Sequence, residues 1–258
     1  MLALSIAGFD PTGGAGVLND VKVLNLLGIK SAGIPTTLTL QNTSVFKGWE
    51  PVNPDYLKSS LELIFSDLPV KGIKIGMIGT SENAEIIGYF LKKYRNKISW
   101  IVLDPVLQAS LNYPLFSSKE EYLNILKTKI FPYVDVITPN VFEASVLTEK
   151  IPKKKKDLLE LCKILISFGI KVIIITGWES ELFTWDFFCE KDKAFFFKKK
   201  KLKGNFHGTG CAFSSAILGF LLKGFSCKEA FKKAKNWLYL YLKKSTEEKI
   251  GGNLWLFL

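Results

Sequence analysis

The chain has 258 residues, 48% of them hydrophobic and 23% charged, the balance of a soluble globular protein with a large core rather than of a disordered one. Its formal charge is +11, from 35 basic and 24 acidic residues, but Arg95 is the only arginine, so the excess is lysine, clustered at Lys153–Lys156 and Lys198–Lys201. Without arginine forks to read bases and phosphates, nucleic acid is excluded as the expected partner, whereas an acidic small molecule such as a nucleotide suits the positive field.

The first apolar run, LALSIAG, predicts a buried strand, and residues 14–27 follow with helical periodicity. SAGIPTTLTL predicts the next strand, followed by a helix near 54–67, the strand GIKIGMIG and a helix near 82–95. SWIVLDP predicts another strand, then come a helix near 119–130 and the strand VDVITPN. Helices near 141–148 and 155–168 lead to IKVIIITG. These runs are continuously apolar rather than alternating, as are strands of a parallel sheet covered on both faces. After residue 182 the pattern changes: LFTWDFFCE and KAFFFKKK flank the turn KDK and predict an antiparallel hairpin. Helices near 210–223 and 227–244 complete the series. No linker or repeat interrupts it. The expected architecture is one α/β domain over residues 1–258, with a mainly parallel sheet, helices on both faces and a hairpin at one edge.

The four cysteines, Cys162, Cys189, Cys211 and Cys227, have no C-x-x-C spacing, and a single histidine cannot complete a zinc set with them. A reduced, cytoplasmic protein is the expectation. Gly8-Phe9-Asp10-Pro11 ends the apolar run at 2–7, so no signal peptide is read there. ILISFGIKVIIIT, at 164–176, is too short and too broken to span a membrane.

Ligands of such sheets bind beyond the carboxyl ends of the strands, which selects the loops that carry the polar residues. GFDPTGGAG, at 8–16, fails as a dinucleotide fingerprint because Asn19 stands where a third small residue belongs. It fails as a P-loop because Gly13 is followed by Gly14 rather than lysine. Asp20 lies a turn into the following helix, as a crevice-facing residue or a surface acid. LDPV and TPNVFEA place Asp104, Asn140 and Glu143 just past strands. Asp104 suits a hydrated Mg²⁺, and Glu143 suits a metal-bound water; the spacing of Asn140 and Glu143 equally fits a capping box. GTGCAFSSAILGFLL, at 208–222, opens a helix with glycines, and free N–H groups at a helix start accept an anion. Cys211 there is read either as a thiol of lowered pKa or as a small core residue. His207 reads as structural.

Taken together, ALSIAGFDPTGGAGVLNDVK, TLTLQNT, KIGMIG, VLDPV, ITPNVFEA and HGTGC resemble the hydroxymethylpyrimidine/phosphomethylpyrimidine kinases of thiamine biosynthesis, a ribokinase-like family. The motifs run in order from residue 3 to the helix ending near 244. The resemblance implies a three-layer α/β/α sandwich, a homodimer, and ATP with Mg²⁺. It implies transfer of the γ-phosphoryl to 4-amino-5-hydroxymethyl-2-methylpyrimidine and then to its monophosphate. By the same resemblance, Gln41 binds the aminopyrimidine, with Gly8, Asp20, Met77 and Val106 in the same pocket. Gly208, Thr209 and Gly210 match the anion hole, with Cys211 as the proposed base. Asp104, Asn140, Glu143, Thr176 and Gly177 match the nucleotide side, with Asp104 and Glu143 toward Mg²⁺. The chain departs from the pattern at Thr176-Gly177-Trp178, where the family has a phosphate-binding lysine and two glycines. It departs again at LQASLNYP, where the family carries Lys-Ser-Gly, and at Phe9, which puts a ring in place of serine beside the expected pyrimidine pocket. A pyridoxal kinase and a non-catalytic pyrimidine-binding homologue stay open as alternatives.

Overall fold

The computed structural model describes residues 1–107, 119–191, 193–204, 206–245, 249–250 and 253–254. Residues 108–114 of LQASLNYP and Asp192 of the KDK turn lie outside the described residues. The strands are β1 (Leu2–Phe9), β2 (Lys30–Gln41), β3 (Phe46–Pro51), β4 (Val70–Ile75), β5 (Trp100–Leu103), β6 (Val136–Ile137), β7 (Val172–Glu179), β8 (Phe183–Glu190) and β9 (Lys193–Lys200). A separate pair, β10 (Lys249–Ile250) and β11 (Asn253–Leu254), is antiparallel. The helices are α1 (Gly16–Leu26), α2 (Pro54–Asp67), α3 (Ser81–Tyr94), α4 (Lys119–Ile125), α5 (Val141–Thr148), α6 (Leu158–Ser167), α7 (Thr209–Leu222) and α8 (Cys227–Ser245).

The main sheet has the order β3-β2-β1-β4-β5-β6-β7-β8-β9. The strands from β2 through β7 run parallel, as the apolar runs predicted, and β7, β8 and β9 form the predicted antiparallel edge. The opposite edge is antiparallel too, because β3 pairs back onto β2. Sequence periodicity did not place β3: Gly48 interrupts it and Pro51 ends it, and both are tolerated at an edge where few partners depend on each amide.

Alternation within each strand sends side chains to opposite faces, and each face is covered. Leu4, Ile6, Ile73, Ile75, Ile101 and Leu103 pack in one buried cluster with residues of α2, α3, α5 and α6. Ala3, Val102, Val136, Val172 and Ile174 pack in a second with α1, α7 and α8. Local sequence explains where helices begin. Asn53 accepts from the amides of Asp55 and Tyr56 with Pro54 at the first helical position of α2, and Thr80 caps α3 through Asn83. The helix expected near 119–130 changes at Ile125: Leu126–Ile130 winds more widely and Phe131–Tyr133 more tightly, ahead of the turn into β6.

The chain leaves β1 for β2 on one side and returns to β4 on the other. That reversal opens a crevice at the carboxyl ends of the strands.

Candidate active site

A cavity of about 280 Å³ fills that crevice. Its walls come from the loops after β1, β2, β4, β5 and β6, from Thr176 within β7 and from the segment 206–211 that enters α7. Gly8, Gln41, Met77, Val106, Asp104, Asn140, Glu143, Thr176, Gly208, Thr209, Gly210 and Cys211 all line it. Asp20 and Gly177 do not. Asp20 is fully buried beneath the floor, and the Gly177 amide turns away to donate to Asp186 (3.2 Å). Phe9 does not line the cavity either, contrary to the expected ring beside the pocket.

The two glycine-rich loops are clasped together. His207 Nε2 lies 2.7 Å from Asp10 Oδ2, and Asn19 Nδ2 donates to the Gly208 carbonyl (3.2 Å). Asp10 also accepts from the Thr12 amide and hydroxyl and from the Ala15 amide. Burial pushes the Asp10 carboxyl up, but the bonds from His207 and Thr12 outweigh it and hold it below the usual aspartate range. Gly208 is the N-cap of α7 with φ +75°, and a Cβ there would fall 1.7 Å from the Gly14 carbonyl oxygen. Only glycine lets the loops meet. The first helical bond of α7 runs from Ala212 N to Gly208 O, so the amides of Thr209, Gly210 and Cys211 precede it at the cavity wall.

Acids gather under this helix start. Asp104 follows β5, accepts from Ser214 (3.2 Å) and lies opposite Gly210. Burial raises the Asp104 carboxyl above its ordinary range; Lys74 pulls it back and Asp20 pushes it further. Glu143 forms the capping box of α5 with Asn140, each side chain bonding the other's amide (2.9 and 2.8 Å). Burial, then the charge of Asp104, pushes Glu143 up to about 8 against the pull of the Asn140 and Leu107 amides. The capping reading and the cavity reading of Glu143 therefore coexist. Among the described residues, no three of His, Cys, Asp and Glu group as metal ligands.

The residue that sequence reading passed over is Lys74. It sits inside β4 at 0% exposure, with its Nζ 2.9 Å from Asp20 Oδ2 and 3.9 Å from Asp104 Oδ2. Ser5 and Ser215 donate to the two oxygens of Asp20 (2.6 and 2.8 Å). The available signal was a lysine in the middle of the apolar run GIKIGMIG: a charge in a strand buried on both faces must find an acid.

The lowered pKa expected for Cys211 is corrected by its surroundings. Burial pushes the thiol up to about 12; Lys74 pulls it down, but Asp104 and Asp20 push it further up. The loss of water, with the two neighbouring carboxylates behind it, outweighs Lys74 and the Gly16 amide, and these surroundings favour the thiol.

Residues 10–253 match the model of the phosphomethylpyrimidine kinase family. The chain belongs to that family. It is 38% identical over 253 residues to the hydroxymethylpyrimidine/phosphomethylpyrimidine kinase of Aquifex aeolicus (strain VF5), covering 97% of each chain. The crystal structure of phosphomethylpyrimidine kinase from Clostridium difficile 630 is 28% identical, with a TM-score of 0.82 over 94% of this chain and 99% of that one. An ADP complex of Bacillus subtilis pyridoxal kinase is 26% identical, with a TM-score of 0.83 over 98% of this chain and 93% of that one. The chain is a kinase with this shared ribokinase-like α/β fold. Among its described residues, no helix is long and apolar enough to cross a membrane.

Proposed function

We propose that this family member is the ATP-dependent kinase of thiamine biosynthesis that phosphorylates 4-amino-5-hydroxymethyl-2-methylpyrimidine and then its monophosphate. The observation that carries this reading is that Gln41, the α7 N-terminus with Cys211, and the carboxyls of Asp104 and Glu143 line one cavity. Pyrimidine, phosphoryl and nucleotide sides thus have separate residues within reach of one another.

The Gln41 amide offers a donor and an acceptor, the complement of an aminopyrimidine edge. Met77 and Val106 supply apolar surface for the ring. The backbone amides of Thr209, Gly210 and Cys211, aligned with the α7 dipole, face the charge that grows on the transferred phosphoryl. That transition state is loose, so positioning and charge stabilisation outweigh base strength. Cys211 enters as a thiol whose sulfur orients the substrate hydroxyl, and the hydroxyl proton passes late to an oxygen of the transferred phosphoryl group. Asp104 and Glu143 fit Mg²⁺ by chemistry: both carboxyls are raised by burial, Glu143 further by Asp104, and such a pair gains from a cation. Two carboxylates with waters and phosphates are a donor set Mg²⁺ accepts. Held there, Mg²⁺ would supply positive charge to offset that of the phosphates. Asp20 is reassigned from the pyrimidine pocket to its support.

The test is a substrate panel with ATP and Mg²⁺, comparing the pyrimidine alcohol, its monophosphate and pyridoxal. Phosphorylation of the first two supports the reading. A strong preference for pyridoxal replaces it with the activity named for the Bacillus subtilis neighbour. Ligand binding without ATP consumption replaces it with a non-catalytic binder. We also read the chain as one domain over 1–258, a homodimer and a cytoplasmic enzyme that does not bind nucleic acid. Light scattering of the purified protein tests the dimer.

A further inference from the structure

The lining of the cavity contains three carboxyls, Asp10, Asp104 and Glu143, and, among the described residues, no lysine or arginine. The phosphoryl group that reacts there is itself anionic. A fixed positive charge lies one layer down, at Lys74, beneath Asp104. From top to bottom the stack is the start of α7 at Gly210, Asp104, Lys74 and Asp20. A Cβ on Gly210 would stand 3.7 Å from Asp104 Oδ2, and Lys74 Nζ is 3.9 Å below that same oxygen. Gly76 keeps room for the ammonium, since a Cβ there would come within 2.8 Å of Nζ.

Stability alone is a poor reason for such a pair. Taking two charges fully out of water costs more than their attraction commonly returns, and apolar replacements are often neutral or stabilising. The arrangement is also over-determined: Ser5 stands beside Lys74 in the β1–β4 register, and Ser5 and Ser215 hold Asp20 from two sides. Asp20 is thereby fixed, and the ammonium is fixed against it, directly under the anion hole. A charge in that dry, rigid setting acts on developing negative charge with no reorganisation.

We infer that Lys74 is a positioning residue for phosphoryl transfer: its buried ammonium, anchored by Asp20, holds Asp104 in place beneath the α7 N-terminus and stabilises the transition state without touching substrate. This rests on the kinase reading above. The test compares wild type, Lys74→Met, Asp20→Asn and the double variant Lys74→Met/Asp20→Asn, with kcat, both KM values and thermal unfolding measured for each. Lys74→Met alone leaves Asp20 buried and unpaired and is expected to unfold easily. The double variant removes both charges and is expected to fold near the wild-type Tm, with kcat down about 100-fold and both KM values within about threefold. Asp20→Asn, which keeps the ammonium, is expected to retain more turnover than the double variant. A folded double variant with kcat within about threefold of wild type overturns the inference. So does an Asp20→Asn variant as slow as the double, which makes the carboxylate the active partner. A double variant that fails to fold also overturns it, because the pair is then structural. Absence of turnover in wild type instead sinks the kinase reading itself.

Discussion

His207 and Asp10, 197 positions apart in the chain, meet at 2.7 Å and tie the loop after β1 to the loop before α7. The contact fixes the start of α7 against the first glycine-rich loop, because Gly208 follows His207 directly and caps the helix. Asp10→Asn weakens the acceptor for four partner groups at once, on Thr12, Ala15 and His207, and is expected to lower stability by about 1–3 kcal/mol at neutral pH. The folded Asp10 carboxyl lies below its unfolded value, so its contribution is present above about pH 4 and lost as pH falls through the folded value. The Tm difference between wild type and variant, measured from pH 7 downward, is expected to shrink below about pH 4. A difference that stays constant into acid would show that the charge of Asp10 is not what holds the loops.

Gly208 and Gly210 make a sharper contrast. At Gly208 a methyl group meets the Gly14 carbonyl at 1.7 Å in a left-handed conformation, whereas at Gly210 it finds only ordinary contact with Asp104 at 3.7 Å. Gly208→Ala is therefore expected to separate the loops, lower Tm by more than about 5 °C and remove most activity, since a clash adds to the backbone strain of about 1–2 kcal/mol. Gly210→Ala is expected to unfold at the wild-type temperature. Equal melting of the two variants would contradict the clasp geometry.

The parallel sheet and most of its helices were legible because burial on both faces leaves continuous apolar runs, and caps such as Asn53 and Thr80 mark where helices begin. The rule that ligands sit at strand carboxyl ends found nearly all of the cavity for the same reason. What escaped depends on contacts between distant residues. β3 becomes a strand only by pairing with β2, and Lys74 has meaning only beside Asp20 and Asp104. His207 read as structural, and it does clasp the loops, but its place on the cavity wall needed the partner at Asp10. Of the two readings of Cys211, the lowered thiol rested on the helix N-terminus, which is visible in sequence, whereas its burial and the two acids beneath it, which push the thiol up, are not.

In the proposed reaction Cys211 orients the substrate hydroxyl rather than carrying a resting negative charge. Cys211→Ala is expected to lower kcat by about 100-fold, the lower end of the range for acid–base groups, and to leave pyrimidine affinity by calorimetry within about threefold. Cys211→Ser keeps a polar atom there and is expected to retain more activity than alanine. Full activity in the alanine variant would remove the sulfur from the mechanism and leave the amides of α7 to do the positioning.

Thr176 occupies the wall where the family pattern carries a lysine, beside Asn140, whose strand-like bridge to it fixes the backbone through the Thr176 amide and the Pro139 carbonyl (2.9 Å). Among the described residues no lysine or arginine lines the cavity, so the phosphates of the proposed nucleotide would meet backbone dipoles there and the ammonium of Lys74 only a layer down. Thr176→Lys adds one charge-assisted bond, worth about 1.5–3 kcal/mol, and is expected to lower the KM for ATP by about tenfold or more while leaving the pyrimidine KM unchanged. The competing outcome is capture of the new ammonium by Glu143, buried on the same wall with its carboxyl pushed up to about 8. In that case the KM for ATP stays at its wild-type value in Thr176→Lys, and the structure of the variant shows the new ammonium within about 4 Å of the Glu143 carboxyl. If the KM for ATP is unchanged and no such pair forms, the phosphates do not pass position 176, and the nucleotide side of the cavity must be redrawn.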